Sequence, residues 1–293
     1  MDDLNFTSNP DKPVSPAPAS FDFAAAFDFF NSAGKEQEIA ADEVIFTENQ
    51  KSNRLLFQRD KMYLLLDGSV ELTVNGKRVD MVQPREIFGE MASISQTPRN
   101  ATATAVSTCR VISLDDKQFL SALQDHPEFA LTLMALMSNR LRNRVGLLRR
   151  TEALNSVTEC NESSTLNKKL LANLANELDD NATIHFEQDK IIMQEGQAGA
   201  LMYIVLEGDV NISIQGSVVE VVGPGGIFGE MALIERTPRL ASAVAASDCT
   251  LLAINHSAFI NLVKENPEFG VAILSAIGER ARFMISRLVQ ATE

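Results

Sequence analysis

Residues 227–245 read IFGEMALIERTPRLASAVA, and residues 87–105 read IFGEMASISQTPRNATATA. The two stretches are the same sentence written twice, and the rest of the chain follows their register. From Met62 to about Val145, adding 140 to a residue number gives its counterpart without a gap. Tyr63 pairs with Tyr203, Gly68 with Gly208, Gly76 with Gly216, Pro98-Arg99 with Pro238-Arg239, and Arg140 with Arg280. Upstream the offset becomes 147, so that VIFTEN (44–49) matches IIMQEG (191–196) and the first copy carries seven extra residues between Glu48 and Met62. Internal repetition on this scale implies two copies of one domain.

Each copy keeps the same rhythm. A helical stretch opens it, at 20–32 and 164–179, with Ser20 and Ser164 as expected N-caps. Phe23, Phe27 and Phe30 share a face at helical spacing and read as core. Short β-like runs follow, such as MYLLL and SVELTVNGKRVDMV in the first copy. Asn75-Gly76 is a strong hairpin signal, and Gln215-Gly216 repeats it more weakly. Helices close each copy, the last running from Pro127 to about Arg150 and from Pro267 to Glu293. The expected fold is mainly β with flanking α-helices, two tandem antiparallel β-rolls of jelly-roll type. The expected organisation is a disordered tail (1–19), domain one (20–150), a linker (151–163) and domain two (164–293).

The quoted stretch suggests a ligand. Gly229 lets the backbone come close to one. Helix formers follow it, so a short helix is expected there with free N–H groups at its start. Arg239, nine residues beyond Glu230, can clamp a phosphate with two hydrogen bonds. A glutamate repels phosphate but accepts hydrogen bonds from sugar hydroxyls. Acceptor and cation together describe a ribose phosphate, and Ala101, Ala103, Ala241 and Ala243 leave room for it. A lone Glu and Arg at this spacing would read as a surface ion pair; their recurrence in both copies favours the ligand.

FGEMALIERTPRLAS and FGEMASISQTPRNAT resemble the phosphate-binding cassette of the cyclic nucleotide-binding domain family, over nearly all of 20–150 and 164–293. The resemblance implies that Glu90 and Glu230 hold the ribose 2′-hydroxyl, that Arg99 and Arg239 hold the cyclic phosphate, and that a C-terminal helix caps the base. Site one is then Gly89, Glu90, Met91, Ala92, Arg99, Asn100 and Ala101. Site two is Gly229, Glu230, Met231, Ala232, Arg239, Leu240 and Ala241. Departures exist: Asn49 stands where the second copy keeps Gly196. Asn100 and Leu240 follow the arginines, where a threonine would hint at cGMP. Catabolite activators, which are similar, offer Thr-Ser on the lid helix; the matching positions are Arg144-Val145 and Met284-Ile285. The expected ligand is cAMP, with cGMP the alternative.

Composition excludes other classes. Net charge is −13, and residues 151–293 carry 9 basic against 19 acidic side chains, which argues against duplex DNA. The chain ends within the span of the lid helix, so no DNA-binding domain is expected. No apolar run approaches the length of a membrane span, and the N-terminus lacks a signal sequence, which makes the cytoplasm the expected location. Cys109, Cys160 and Cys249 are too scattered for a disulfide framework or a zinc site, and Cys109 and Cys249 read as buried thiols. His126, His185 and His256 lack metal spacing and a nucleophile–base context, so no catalytic residue, metal or catalytic cofactor is expected.

Five arginines crowd NRLRNRVGLLRR (139–150). They read as a solvated face, as a contact with the acidic second half, or as a surface for a separate acidic partner. Together the expectations describe a non-enzymatic sensor of a cyclic nucleotide that signals to an unidentified effector protein, with homodimerisation open. The alternatives are a scaffold with vestigial cassettes or another nucleotide ligand, and an inhibitory regulatory subunit of a kinase.

Overall fold

A computed structural model describes residues 22–51, 60–95, 97–150, 161–162, 166–177 and 182–290. The first domain runs α1 (Phe23–Ala33), β1 (Lys35–Ile39), β2 (Val44–Phe46), β3 (Lys61–Asp67), β4 (Val70–Val74), β5 (Lys77–Val82), β6 (Ile87–Phe88), α2 (Glu90–Ser95), β7 (Thr102–Ala105), β8 (Cys109–Asp115), α3 (Asp116–Asp125) and α4 (Phe129–Arg150). After β9 (Asn161–Glu162), the second domain repeats the order. It runs α5 (Lys168–Glu177), β10 (Thr183–Phe186), β11 (Ile191–Met193), β12 (Leu201–Glu207), β13 (Val210–Ile214), β14 (Ser217–Val222), β15 (Ile227–Phe228), α6 (Glu230–Glu235), β16 (Ser242–Ala245), β17 (Cys249–Asn255), α7 (His256–Glu265) and α8 (Pro267–Gln290).

Each domain is a β-roll of two facing antiparallel sheets, as the strand signals imply. The orders β1-β8-β3-β6 and β2-β7-β4-β5 recur as β10-β17-β12-β15 and β11-β16-β13-β14. Alternation along the strands puts apolar residues between the sheets; β13, for example, buries Val210, Ile212 and Ile214. The hairpins close on Asn75 (φ 49°) with Gly76 (φ 74°) and on Gln215 (φ 51°) with Gly216 (φ 84°), two left-handed residues each. That geometry matches the right-handed twist of the strands it joins. Cys109 and Cys249 are buried, as expected.

Three local expectations need correction. Helix α1 begins at Phe23 because Asp22 accepts from the Ala24 and Ala25 amides; Ser20 lies outside the described residues. Helix α5 begins at Lys168, later than expected, and Asn167 caps it by accepting from the Leu170 amide. Part of the expected linker is ordered: β9 pairs in parallel with β14, Asn161 against Glu220 and Glu162 against Val221. The tail 1–19, Cys160, Ser164 and residues 52–59 of the insert lie outside the described residues.

The first roll keeps a cluster of its own between its sheets, around Phe46, Tyr63 and Phe88, but a second cluster runs through both halves. Met134, Met137, Leu141 and Val145 of α4 join Ile273, Ile277, Ala281 and Met284 of α8 in one buried cluster. Ala130 and Gly270 are counterparts in the repeat, and a Cβ built on Gly270 would stand 3.4 Å from the Ala130 Cβ. Counterparts that touch each other sit on a two-fold axis. Reciprocal contacts elsewhere agree: Arg142 Nη1 donates to Pro238 O and Arg282 Nη1 donates to Pro98 O, each over 3.3 Å. The two domains therefore pack as an isologous pair within one chain, α4 against α8.

Candidate functional site

The cassette lies where the chain leaves β15 and before it re-enters the roll as β16. Gly229 takes φ 81°, a left-handed value that costs an ordinary side chain, and α6 starts at the next residue. Glu230 is thereby turned inward and is 2% exposed. Beyond α6 the chain returns at Arg239, which donates to Gly229 O over 2.7 Å and to Leu201 O over 2.5 Å. These bonds brace the strand end against the loop, which is why Arg239 is only 6% exposed. Gly199 packs flat on the guanidinium; a Cβ there would fall 2.5 Å from Arg239 Cζ.

A cleft opens over this loop. All seven residues expected at site two line it: Gly229, Glu230, Met231, Ala232, Arg239, Leu240 and Ala241. The rest of the wall is mostly apolar, with Ile212, Ile214, Val219 and Phe228 from the roll. Only Glu220, Glu230, Arg239 and Arg280 bring charge to it. A mostly apolar cleft with a few convergent charged groups is how small-molecule sites are built.

Sequence reasoning missed the residues that the helices contribute. Arg280 on α8 donates from Nη1 to Glu230 Oε1 (2.9 Å), from Nε to Glu220 Oε2 (2.8 Å) and from Nη2 to Ile227 O. It locks the glutamate in place and ties α8 to the cassette. Burial opposes the Arg280 cation, but the Glu220 and Glu230 carboxylates outweigh it and its pKa rises. The pairing of Arg140 with Arg280 across the repeat was the signal that could have found it. Leu141 and Val145 also line the cleft, although they belong to α4 of the first domain.

Site one has the same frame with different fittings. Arg99 donates to Gly89 O (2.8 Å) and to Lys61 O (2.9 Å), and Glu90, 3% exposed, accepts from Arg140 Nη1 over 2.7 Å. Asn100 donates to Met91 Sδ over 3.4 Å, and Ala92 is buried. Ala101 leads into β7. Arg99 has two extra neighbours. Its Nε lies 3.4 Å from the Asp60 carboxylate, and its Cζ lies 4.2 Å above the Phe46 ring. The second domain has Ala200 and Met193 at those places. Burial lowers the pKa of both Arg99 and Arg239; Asp60 partly offsets this at Arg99, and Tyr203 and Glu230 do so at Arg239.

Within the basic run 139–150, Arg142 and Arg149 reach the second domain. Arg142 donates to Glu235 Oε2 and Thr237 Oγ1, and Arg149 donates to Glu195 Oε1 and Leu240 O. These partners flank Arg239 in the second cassette, so the contact with the acidic half is the reading the structure bears out.

Each β-roll carries a short helix, a buried glutamate held by an arginine of its closing helix, and a buried arginine on the loop that follows, and in the second a mostly apolar cleft opens over that loop. The sequence pattern of the cyclic nucleotide-binding domain family matches residues 36–126 and 183–266, and the chain belongs to that family. It is 29% identical over 183 residues to a cGMP-dependent protein kinase of Toxoplasma gondii, covering 62% of this chain and 16% of that protein. It is 26% identical over 223 residues to a cAMP-dependent protein kinase regulatory subunit of Eremothecium gossypii, covering 76% and 44%. The chain thus spans less than half the length of either relative. Among solved structures it is similar to the regulatory domain of Toxoplasma gondii PKA crystallised with cAMP, at 23% identity over 85% of this chain and 89% of that one, with a TM-score of 0.30. Among the described residues no helix is long and apolar enough to cross a membrane.

Proposed function

We propose that the chain is a cyclic nucleotide sensor with two binding cassettes, and that its role is binding and signalling rather than catalysis. The observation that carries this reading is the pairing, in each domain, of a buried glutamate with an arginine on the loop that follows it, beneath a long helix. Arg239 offers a phosphate two donors, and Glu230 offers the ribose an acceptor oxygen. The apolar end of the cleft takes the purine. Gly89, Glu90, Met91, Ala92, Arg99, Asn100 and Ala101 form the equivalent site in the first domain. The ligand to test first is cAMP, with cGMP second.

Signalling follows from what the helices hold. Arg140 and Arg280 tie α4 and α8 to the two glutamates. A ligand hydroxyl that competes for Glu90 or Glu230 therefore acts on a helix that also touches the other domain. Ligand binds the arrangement that accommodates it and shifts the population toward that arrangement. The effector we propose is a protein kinase catalytic chain, and the similarity to regulatory subunits supports it. Calorimetric titration with cAMP and with cGMP tests the binding claim; the absence of binding by both would refute it and favour a scaffold. Co-purification from lysate with and without cAMP tests the effector.

A further inference from the structure

Glu195 and its repeat counterpart Glu48 share the same two tasks. The Glu195 carboxylate accepts from the Gln215 amide over 2.8 Å, and its own amide donates to Ser242 Oγ. The Glu48 carboxylate accepts from the Asn75 amide over 2.8 Å, and its own amide donates to Thr102 Oγ1. Holding the hairpin in this way needs no cation. The second copy adds one from the other domain: Arg149 on α4 donates from Nη2 to Glu195 Oε1 over 2.5 Å and to Leu240 O over 2.8 Å. Continuing the offset of 140 along the helix, the counterpart of Arg149 is Val289, which has no charge to offer Glu48. Glu235 repeats the pattern. Ser95 holds its place in the first copy, so the fold needs no carboxylate there, and Arg142 meets it from α4 over 2.7 Å.

Both carboxylates stand beside the loop that presents Arg239. Gly196, next to Glu195, donates its amide to Arg239 O over 2.9 Å, and Glu235 lies on α6 four residues before Arg239. Negative charge at this place opposes an anionic ligand, the more so in a half that carries 9 basic against 19 acidic side chains. Arg149 and Arg142 offset it pair by pair. Their remaining bonds end on Leu240 O and Pro238 O, the residues on either side of Arg239.

We propose that site two is a composite of both domains. Arg149 and Arg142 are positioning residues that cancel the charge of Glu195 and Glu235 and fix the backbone on either side of Arg239. An anionic ligand then binds the second cassette only as tightly as α4 lies on it. The reverse dependence is slight: among the described residues, Arg282 of α8 reaches Pro98 O and meets no carboxylate of the first cassette. Affinity at site two therefore reports whether the first domain is in place, even when site one is empty.

This rests on the cassettes binding a cyclic nucleotide, and the experiment separates the two claims. The full chain carrying Arg99→Ala, which disables site one, is titrated with cAMP alone and together with Arg149→Ala, Arg149→Lys, or Arg149→Ala with Glu195→Gln. At low ionic strength Arg149→Ala should weaken binding by about 5- to 20-fold, through an uncompensated carboxylate beside the phosphate loop. The loss should shrink as salt rises, since the screening length falls from about 30 Å at 0.01 M to about 3 Å at 1 M. Arg149→Lys should retain most of the affinity, and adding Glu195→Gln to Arg149→Ala should restore part of it. A merely structural role for Arg149 would give a loss that neither salt nor Glu195→Gln relieves. If Arg99→Ala does not fold, Arg149→Ala in the otherwise unaltered chain should weaken one of two binding steps and leave the other. Unchanged cAMP affinity in Arg149→Ala, or a loss indifferent to salt and to Glu195→Gln, overturns the inference and leaves the sensor reading standing. If the unaltered chain binds no cAMP, both fall.

Discussion

Arg142 of the first domain lies 2.7 Å from Glu235 of the second, and two residues before it Arg140 holds Glu90 of the first cassette. One turn of α4 therefore grips both sites. Arg142 also donates to Thr237 and to the carbonyl of Pro238, next to Arg239. Its counterpart Arg282 reaches only Pro98 O among the described residues, and Ser95 stands where the second domain has Glu235. The clamp is two-fold in geometry and one-sided in charge.

Arg142→Ala should uncouple the domains. It leaves the Glu235 side chain, 3% exposed, without its cation, whereas Arg142 itself is about one-quarter exposed. We expect a loss of about 1–3 kcal/mol in urea unfolding, below the figure for a fully buried pair because water reaches the arginine. Glu235→Gln should be milder, and the double variant should cost less than the sum. Any effect of filling site one on affinity at site two, typically about 1–3 kcal/mol in such linkage, should shrink in Arg142→Ala. Unchanged coupling in paired titrations would show that the helix is not the route.

Arg239→Ala should weaken cAMP binding at site two by about 10- to 150-fold, the equivalent of one charge-assisted hydrogen bond to phosphate. The sequence alone suggests that the empty domain tolerates this change, on the premise that the side chain waits in water. The structure corrects that premise, because Arg239 is buried and bonded to Gly229 O and Leu201 O. Thermal melts without ligand should therefore also fall. Arg239→Lys should sit between alanine and the unaltered chain in both measurements.

Asp60→Ala should tighten nucleotide binding at site one. The carboxylate lies 3.4 Å from Arg99 Nε in a pocket where both side chains are under 10% exposed, so it competes with a phosphate for the same cation. Removing a like-charged rival should raise affinity by about 10-fold, while the unliganded domain loses stability because a buried cation has lost its partner. Titration and melting of the same variant check both signs. Weaker binding would mean that Asp60 orients Arg99 rather than competing for it.

Gly278→Ala should stabilise the chain by about 0.5–1 kcal/mol, since alanine favours helix and a Cβ there would meet Met137 Cε at an ordinary 3.4 Å. Gly278→Leu should destabilise it by about 1–3 kcal/mol, because the extra carbons must enter the packed face between α4 and α8. Chemical denaturation of the two variants distinguishes a close helix contact from an open one, where both would be tolerated.

Local and repeated features were legible in the chain itself. The tandem β-rolls, the Asn75-Gly76 hairpin and the short helix after Gly229 depend on neighbouring residues, and the repeat states each of them twice. All seven residues expected at site two line its cleft for the same reason, since they lie in two short runs on one loop. Helix starts were less legible, because Asp22 and Asn167 compete with nearby serines as caps and only the path of the chain chooses among them. What the tertiary structure alone decided joins distant residues. Arg140 meets Glu90 across 50 positions and Arg142 meets Thr237 across 95, and no local pattern encodes such a pairing. The repeat predicted two domains but not their pose, because two copies with apolar helix faces can pack in several ways. The contact between Ala130 and Gly270 selects one, small residues letting α4 and α8 approach about a two-fold axis and lay each helix on the other domain's cassette.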